Sequence, residues 1–591
     1  MSFCNDRLTV RISSRGIDPA DAAVGLSFAG RPVAARRGDS LAAALIHAGE
    51  LGCRETAGGQ MRGVFCGMGI CQDCLLVVDG VPGQRACMTA VRDGMSVERQ
   101  PARVSLAEVA PEPTPPSSDE RQVTADLVVV GGGPAGLAAA AIAAEAGLDV
   151  VLVDERSRLG GQYLKQPAAA EGRIDGAALD AQFRAGRRLI ERTRRAGVRI
   201  LSGVQVWGAF GAGDLRASGA GARWVLRPRR IVIAAGAYER GVPLPGWTLP
   251  GVMATGAAQT LVRAYQVAPG ARVLVSGNGP LNMQVAAELV AGGAQVVALA
   301  ELAPFTSARR AGALVRMAAA APDLIRDGVR YRATLLRARV PVLAASAVVR
   351  CEGEEAVRRA VVARIGGDGR PVPGTERGYD VDAVCVGFGF LPSNELSRAL
   401  GCRHRVDAAR HELVVERDPL GRTSVEDVWV VGDAGGIGGA RLAQVAGARA
   451  GADVARSLGI PLPGGLREEL RAAGRARRRA LRFQAALGTL YAAPYLVDEL
   501  AADDTLICRC ESVSRKTVEA ALDDEVAHIG TLKRATRAGM GGCQGRYCAS
   551  LLGEMAARRS GRALDERSGF APSAPFRPTP IAVIAGRAGD A

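Results

Sequence analysis

Short apolar runs recur along this chain, and several of them stop at a glycine. Asp126-Leu-Val-Val-Val leads into Gly131-Gly-Gly133-Pro134-Ala135-Gly136, the pattern of a buried strand turning straight into a helix. Asp149 to Val153 predicts a second strand, ending in Asp154-Glu155. Ile231-Val-Ile-Ala-Ala235-Gly236 and Val273-Leu-Val-Ser-Gly277 repeat the theme further on. Leu75-Leu76-Val77-Val78 predicts a shorter strand, and Asp79-Gly80 behind it is a hairpin turn signal. Helix is expected from about Leu466 to Leu500, and the basic run Arg471 to Arg482 has helical spacing that suits a solvated or partner-facing surface. Leu127 to Ala144 carries no charge and is long enough to span a bilayer, but four glycines and a proline interrupt it. No transmembrane segment is expected.

Composition narrows the class. At 591 residues and 48% hydrophobic content the chain has room for several packed domains. The formal charge of +15 comes almost wholly from arginine, with Lys165, Lys516 and Lys533 the only lysines. These charges are scattered, aromatic residues make up only 4%, and no recognition motif accompanies them, so nucleic acid is not an expected partner. The N-terminus lacks an apolar leader, and thiolate chemistry suits a reducing compartment. The cytoplasm is therefore expected, with attachment to the inner membrane through a partner left open.

Thirteen cysteines include two tight sets of four. Cys66, Cys71, Cys74 and Cys87 form the first, with four residues between Cys66 and Cys71 and two between Cys71 and Cys74. That is the plant-type spacing for a [2Fe-2S] cluster. Gly67 and Gly69 supply the freedom that a loop curling around an anionic cage demands. Zinc is the alternative, although its ligands usually come as two short C-x-x-C elements. Cys508, Cys510, Cys543 and Cys548 form the second set, with two short helices expected between its halves and Gly539, Gly541 and Gly542 at the loop. Four thiolates satisfy iron or zinc alike. Lys533, Arg534, Arg537 and Arg546 crowd this segment, and cationic neighbours would steady an anionic cluster. Cys4, Cys53, Cys351, Cys385 and Cys402 show no partner spacing and read as small hydrophobes.

In the glycine-rich turn Gly131 makes the bend, Gly133 lets backbone approach a pyrophosphate, and Gly136 lets helix pack on strand. Glu155 is the candidate for the adenosine ribose, with Asp154 the runner-up. Chain order, Gly160-Gly161-Gln162, the Ala235-Gly236 strand end and the late Gly432-Asp433 pair resemble the pyridine nucleotide-disulfide oxidoreductase superfamily. That resemblance implies FAD, with Gly432 and Asp433 at its ribityl and pyrophosphate region. Gly277 and Gly279 open a second dinucleotide fold, whose third glycine position holds Asn282. The departure is expected to weaken helix packing there. A nicotinamide, an adenine nucleotide and an empty structural domain all stay open. The superfamily's redox dithiol is missing, since no C-x-x-C pair follows Gly161 or Gly279. This is not a disulfide reductase.

The second cysteine set resembles the bacterioferritin-associated ferredoxin type. Arg62-Gly-Val-Phe-Cys66-Gly-Met-Gly-Ile-Cys71-Gln-Asp-Cys74, and Gly236-Ala-Tyr-Glu239-Arg240 with Pro245-Gly246-Trp247, are similar to a family of heteromeric amino- and imino-acid dehydrogenases. That family includes hydrogen cyanide synthase, opine oxidase and the proline and hydroxyproline dehydrogenases. The resemblance implies an α/β two-dinucleotide-domain flavoprotein, flanked by an N-terminal β-grasp ferredoxin-like domain and a small C-terminal helical [2Fe-2S] domain. It implies a ferredoxin-like domain at 1–105, a linker at 106–122, FAD-binding parts at 123–250 and 381–460, and an NAD(P)-like domain at 251–380. A helical connector at 461–500, the second cluster domain at 501–560 and a tail at 561–591, free or gripping a partner, complete the expectation.

FAD and two [2Fe-2S] clusters are thus the expected cofactors, with an FMN at a partner interface left open. An amino-acid-oxidase-type flavoprotein is the implied partner, oxidising a C–N bond and passing electrons here toward a quinone or redox protein. The four histidines, His47, His404, His411 and His528, sit in no acid–base motif. Substrate chemistry is accordingly expected elsewhere. An NAD(P)H-dependent reductase is the alternative, and a non-catalytic scaffold or redox sensor the third reading.

Overall fold

The computed structural model describes residues 11–14, 16–17, 23–105, 120–169, 174–219, 221–304, 308–523 and 528–585. Cys4, Pro111–Ser118 and the last six residues lie outside them.

Alternating burial along Ala23–Phe28 marks a strand with one face in a core. It joins a sheet whose order runs Arg31–Arg36, Ala23–Phe28, Met95–Arg99, Leu75–Val78, Val81–Arg85. Helix Leu41–His47 packs across this sheet, capped by the Ser40 hydroxyl accepting from the Ala43 N–H at 3.2 Å. Asp79 and Gly80 both take positive φ at the expected hairpin.

The central body is built on two sheets, one mixed and one wholly parallel. In one, Arg199–Ser202, Val150–Asp154, Glu120–Val130 and Ala222–Ile233 lie side by side, with Val428–Val430 parallel to Ala222–Ile233. Glu120 to Gln122, expected as the end of the linker, already run in strand because they pair with Arg223–Val225. The other sheet runs Val252–Ala254, Ala383–Gly387, Arg272–Gly277, Gln295–Glu301, Val342–Ala344. Helix Gly464–Leu490 follows, and the chain then runs without helix to Leu500, short of the extent expected. Its end packs Phe483, Ala486 and Leu490 against Ala313 and Met317 of helix Ala308–Ala320.

Beyond it, helices Arg515–Asp523, Ile529–Thr536 and Ala549–Ser560 enclose a small core around Ile507, Val518, Leu532 and Leu552. The described part of the tail lies on this chain's own body. The Phe576 N–H donates to the Trp207 carbonyl at 2.9 Å, and Arg546 donates to the Phe576 carbonyl at 2.5 Å.

The parts share cores. Leu41, Leu45 and Phe28 of the N-terminal sheet pack with Met253, Leu261, Val285 and Leu289 of the second dinucleotide fold. Phe65 and Cys71 join Trp247, Leu274 and Tyr547 in another shared cluster.

Candidate redox site

Side chain by side chain, the first glycine turn makes a cradle. Leu127, Val128 and Val129 are fully buried, which fixes the strand beneath it. A Cβ on Gly136 would lie 1.8 Å from the Gly131 carbonyl oxygen, so only glycine permits this strand–helix approach. Gly133 precedes helix Pro134–Glu145 without a side-chain cap, leaving first-turn N–H groups for an anion. Gly160 donates to the Gly132 carbonyl at 2.9 Å, and a Cβ on Gly161 would meet the Gly133 Cα. Gly432 packs against Ala135, and the Ser393 N–H donates to the Gly236 carbonyl at 3.0 Å. The four glycine elements expected to surround FAD, at Gly131–Gly136, Gly160–Gly161, Ala235–Gly236 and Gly432, thus meet at one end of the sheet.

The two acidic candidates differ sharply. Asp154 is buried and spent on the turn itself, accepting from the Gly132 N–H at 2.5 Å and the Arg156 N–H at 2.7 Å. Burial pushes its carboxyl up to about 6. Glu155 is half-buried and faces no such demand. Asp433 accepts from Gly438 and Gly439 at 2.9 and 3.0 Å, so its carboxylate shapes the turn after Gly432. Burial raises its pKa.

At the second dinucleotide turn the structure corrects one expectation. Asn282 does not loosen the helix. Its Nδ2 donates to the Gly387 carbonyl at 2.9 Å and its Oδ1 accepts from Thr255 at 2.8 Å, tying helix Pro280–Ala291 to both neighbours. Glu301, at the end of the next strand, folds back to accept from the Gly279 N–H at 3.2 Å and the Ala303 N–H at 3.0 Å. Burial pushes its carboxyl up to about 8. Asn278, between Gly277 and Gly279, donates to the Tyr491 carbonyl at 3.1 Å. The segment after helix Gly464–Leu490 therefore sits on this turn.

The first cysteine loop brings its four thiols together. All four are buried, with Cys66 touching Cys71 and Cys87, and Cys87 touching Cys74. The Cys66 sulfur accepts from the N–H groups of Met68, Ile70 and Cys71 at 3.4 Å each. Gly67, at positive φ, lies against Ala257, and its carbonyl accepts from Arg156 at 3.0 Å. In the second set Cys508 touches Cys548 and Cys510 touches Cys543. Among the described residues no three His, Cys, Asp or Glu side chains are placed to hold one ion. A two-iron cluster asks only two thiolates of each iron, which is how the second set is paired.

The two sets meet each other. The Cys510 sulfur lies 3.8 Å from the Cys71 carbonyl oxygen, and a small cavity lined by all four thiols of the second set is bordered by Cys71 and Asp73 of the first loop. Asp73, fully buried, accepts from Arg54 at 3.1 Å and Arg509 at 2.8 Å. The Arg509 guanidinium also lies over the Phe65 ring at 3.8 Å and donates to the Trp247 carbonyl at 2.6 Å. Arg62 is buried nearby, its pKa lowered to about 10 chiefly by burial and then by Arg509. The Nε atoms of Arg54 and Arg62 have no partner. Three guanidinium groups gathered around one carboxylate leave positive charge that an anionic cluster would offset. The residues fit iron–sulfur cages on both sides.

A buried pair lies between the FAD cradle and the first loop. Lys165 donates to Gln162 at 2.9 Å and Thr260 at 2.6 Å, and burial drives its pKa well below the usual lysine range. Glu239 accepts from the Gly256 N–H at 2.8 Å while its Oε1 has no partner. Burial pushes its carboxyl up to about 8. Sequence reasoning assigned no role to Asp73, Arg509, Lys165, Glu239 or Tyr491. The one available signal was a charge lodged inside each cysteine motif, at Asp73 and Arg509.

Residues 125–450 match the family model of the pyridine nucleotide-disulphide oxidoreductases, more than half of the chain. The chain belongs to that family. Residues 21–102 match a 2Fe-2S iron-sulfur cluster binding domain, and residues 506–557 a BFD-like [2Fe-2S] binding domain. FAD and two [2Fe-2S] clusters are accordingly the cofactors of this flavin oxidoreductase. The HcnB subunit of hydrogen cyanide synthase from Pseudomonas aeruginosa is 33% identical over 77% of this chain and 97% of its own. The A subunit of opine oxidase from Rhizobium meliloti is 32% identical over 78% of this chain and 98% of its own. The alpha subunit of sarcosine oxidase from a Corynebacterium is 28% identical over 64% of this chain and 38% of its own. The crystal structure of L-proline dehydrogenase from P. horikoshii superposes at TM-score 0.69 and 22% identity, covering 97% of this chain and 100% of that one. No described helix of this family member is long and apolar enough to cross a membrane.

Proposed function

We propose that this chain is the electron-transferring FAD/iron–sulfur subunit of a heteromeric amino- or imino-acid dehydrogenase or oxidase, of opine, proline or hydroxyproline, glycine or sarcosine type. Its partner would be an amino-acid-oxidase-type flavoprotein that oxidises the C–N bond, and a quinone or redox protein would take the electrons. The relatives named as subunits of oxidases and of a synthase support this reading. Bound FAD exchanges two electrons and each [2Fe-2S] cluster one.

In this reading Glu155 holds the ribose, the first turn of helix Pro134–Glu145 takes the pyrophosphate, and Gly160 to Gln162 with Gly432 and Asp433 bound the rest of the FAD. Cys66, Cys71, Cys74 and Cys87 ligate one cluster; Cys508, Cys510, Cys543 and Cys548 ligate the other. Lys165 and Glu239 lie buried in the space between, and Glu239, its carboxyl pushed up to about 8 by burial, can hold or release a proton near neutral pH.

One observation carries the reading. Gln162, Lys165 and Thr260 are linked by hydrogen bonds to the helix on which Gly67 of the first cysteine loop rests, and that loop touches the second through Cys71 and Cys510. The Tyr491 contact at Asn278 speaks against nicotinamide as electron source. Anaerobic mixing with the purified partner and its amino-acid substrate should bleach flavin and then clusters. Rapid bleaching of the isolated chain by NADH or NADPH would instead favour a self-sufficient reductase.

A further inference from the structure

The geometry points to a fixed relay between the two thiol quartets, held together by the Asp73–Arg509 ion pair. This inference rests on the proposed cluster-bearing reading and adds what it does not contain: the C-terminal domain passes electrons across a permanent contact and does not swing.

Three observations converge on it. First, the quartets touch through atoms of their own ligand residues, the Cys510 sulfur and the Cys71 carbonyl, at 3.8 Å. Second, Asp73 lies between ligands Cys71 and Cys74, and Arg509 between ligands Cys508 and Cys510, so their 2.8 Å bond joins the two cages at their closest loops. Third, the joint is dry. Asp73 is 0% and Arg509 4% exposed, and the guanidinium packs into the corner formed by the Phe65 ring at 3.8 Å and the Trp247 ring at 4.7 Å, which meet edge to face.

Trp247 adds a second fastening, donating from its Nε1 to the Leu506 carbonyl at 2.8 Å beside Cys508. Gln72 lies against Gly542 on the other flank. Separating the loops would break the Arg509 bonds to Asp73 and to the Trp247 carbonyl and leave Asp73 with Arg54 alone, a cost that opposes any opening motion. Asp73 and Arg509 are thus positioning residues. One electron leaves one cage as it arrives in the other, with no bond made or broken and no proton moved.

The test is the EPR spectrum of the full-length protein, purified anaerobically and reduced until the signal integrates to two spins per chain. The spectra of Cys71→Ser and Cys543→Ser provide the two single-cluster references. A fixed contact predicts spin–spin splitting or broadening that the sum of those references does not reproduce. A wild-type spectrum equal to that sum overturns the inference while leaving the two-cluster reading intact, whereas zinc in place of iron removes both. Asp73→Asn and Arg509→Met should lose the splitting with iron content unchanged, and Arg509→Lys, which keeps the charge, should restore part of it. Splitting unchanged in Asp73→Asn would overturn the role given to the ion pair.

Discussion

Asn278 donates its side-chain N–H to the Tyr491 carbonyl at 3.1 Å, placing the chain's own backbone on the turn where a dinucleotide would lie. A pyrophosphate needs free N–H groups at such a turn. The helix after Gly279 is uncapped, as at the first turn, so closure here rests on the Tyr491 segment lying over Asn278. We therefore expect millimolar NADH or NADPH to leave the flavin of the isolated chain oxidised in stopped-flow absorbance. Bleaching within seconds would contradict the closed turn.

Glu155 and Asp154 should separate cleanly by mutation. Glu155→Ala is expected to weaken FAD binding roughly 10- to 100-fold, the loss of a charge-assisted hydrogen bond of about 1.5–3 kcal/mol, with iron content unchanged. Asp154→Ala removes the acceptor for the Gly132 and Arg156 N–H groups and should lower thermal stability as well. Flavin-release titrations and melting curves of both variants distinguish them. An Asp154 variant that melts normally but alone loses FAD would reverse the assignment.

Glu301 gives the chain a pH dependence of known sign. Its folded pKa, about 8, stands above the unfolded value of 4.5 because burial disfavours its charge. The folded chain thus holds a proton that the unfolded chain gives up between those values. The stabilisation is complete below about pH 4.5 and is lost as pH rises through about 8. Glu301→Gln, neutral at every pH but with one acceptor oxygen in place of two, should flatten the fall in thermal midpoint between about pH 5 and about pH 8. Parallel curves for the two proteins would refute it.

The second cluster domain is also pinned to the flavoprotein body by Arg546 and Glu395, an ion pair at 3.0 Å with side chains 3% and 14% exposed. Arg546→Ala leaves Glu395 buried without its partner and removes donors to the Cys543 and Phe576 carbonyls. Breaking such a pair costs about 3–5 kcal/mol. A clear drop in melting temperature and faster proteolysis after Arg537 are expected. Melting unchanged from wild type would show the pair to be dispensable.

Much of this molecule is legible along the chain because its signals are local. The cysteine spacing within Cys66–Cys74 and the glycine spacing within Gly131–Gly136 encode loops and turns that neighbouring residues complete by themselves. What the chain order hides is long-range. Cys71 and Cys510 are 439 positions apart, and no spacing rule connects them. Asn282 misled for the same reason, since its amide is satisfied by Gly387 and Thr255 from other elements. Glu301 carries no signal in the chain order. Only the fold shows it turned inward.

What the two thiol quartets hold decides the chemistry of this chain. Iron, acid-labile sulfide, zinc and flavin should be quantified on one anaerobically purified sample of the intact chain. Two [2Fe-2S] domains and one flavoprotein domain predict two clusters of two irons each, an equal number of sulfides, one FAD, and no stoichiometric zinc. Zinc at one or two per chain, with iron and sulfide absent, would contradict it.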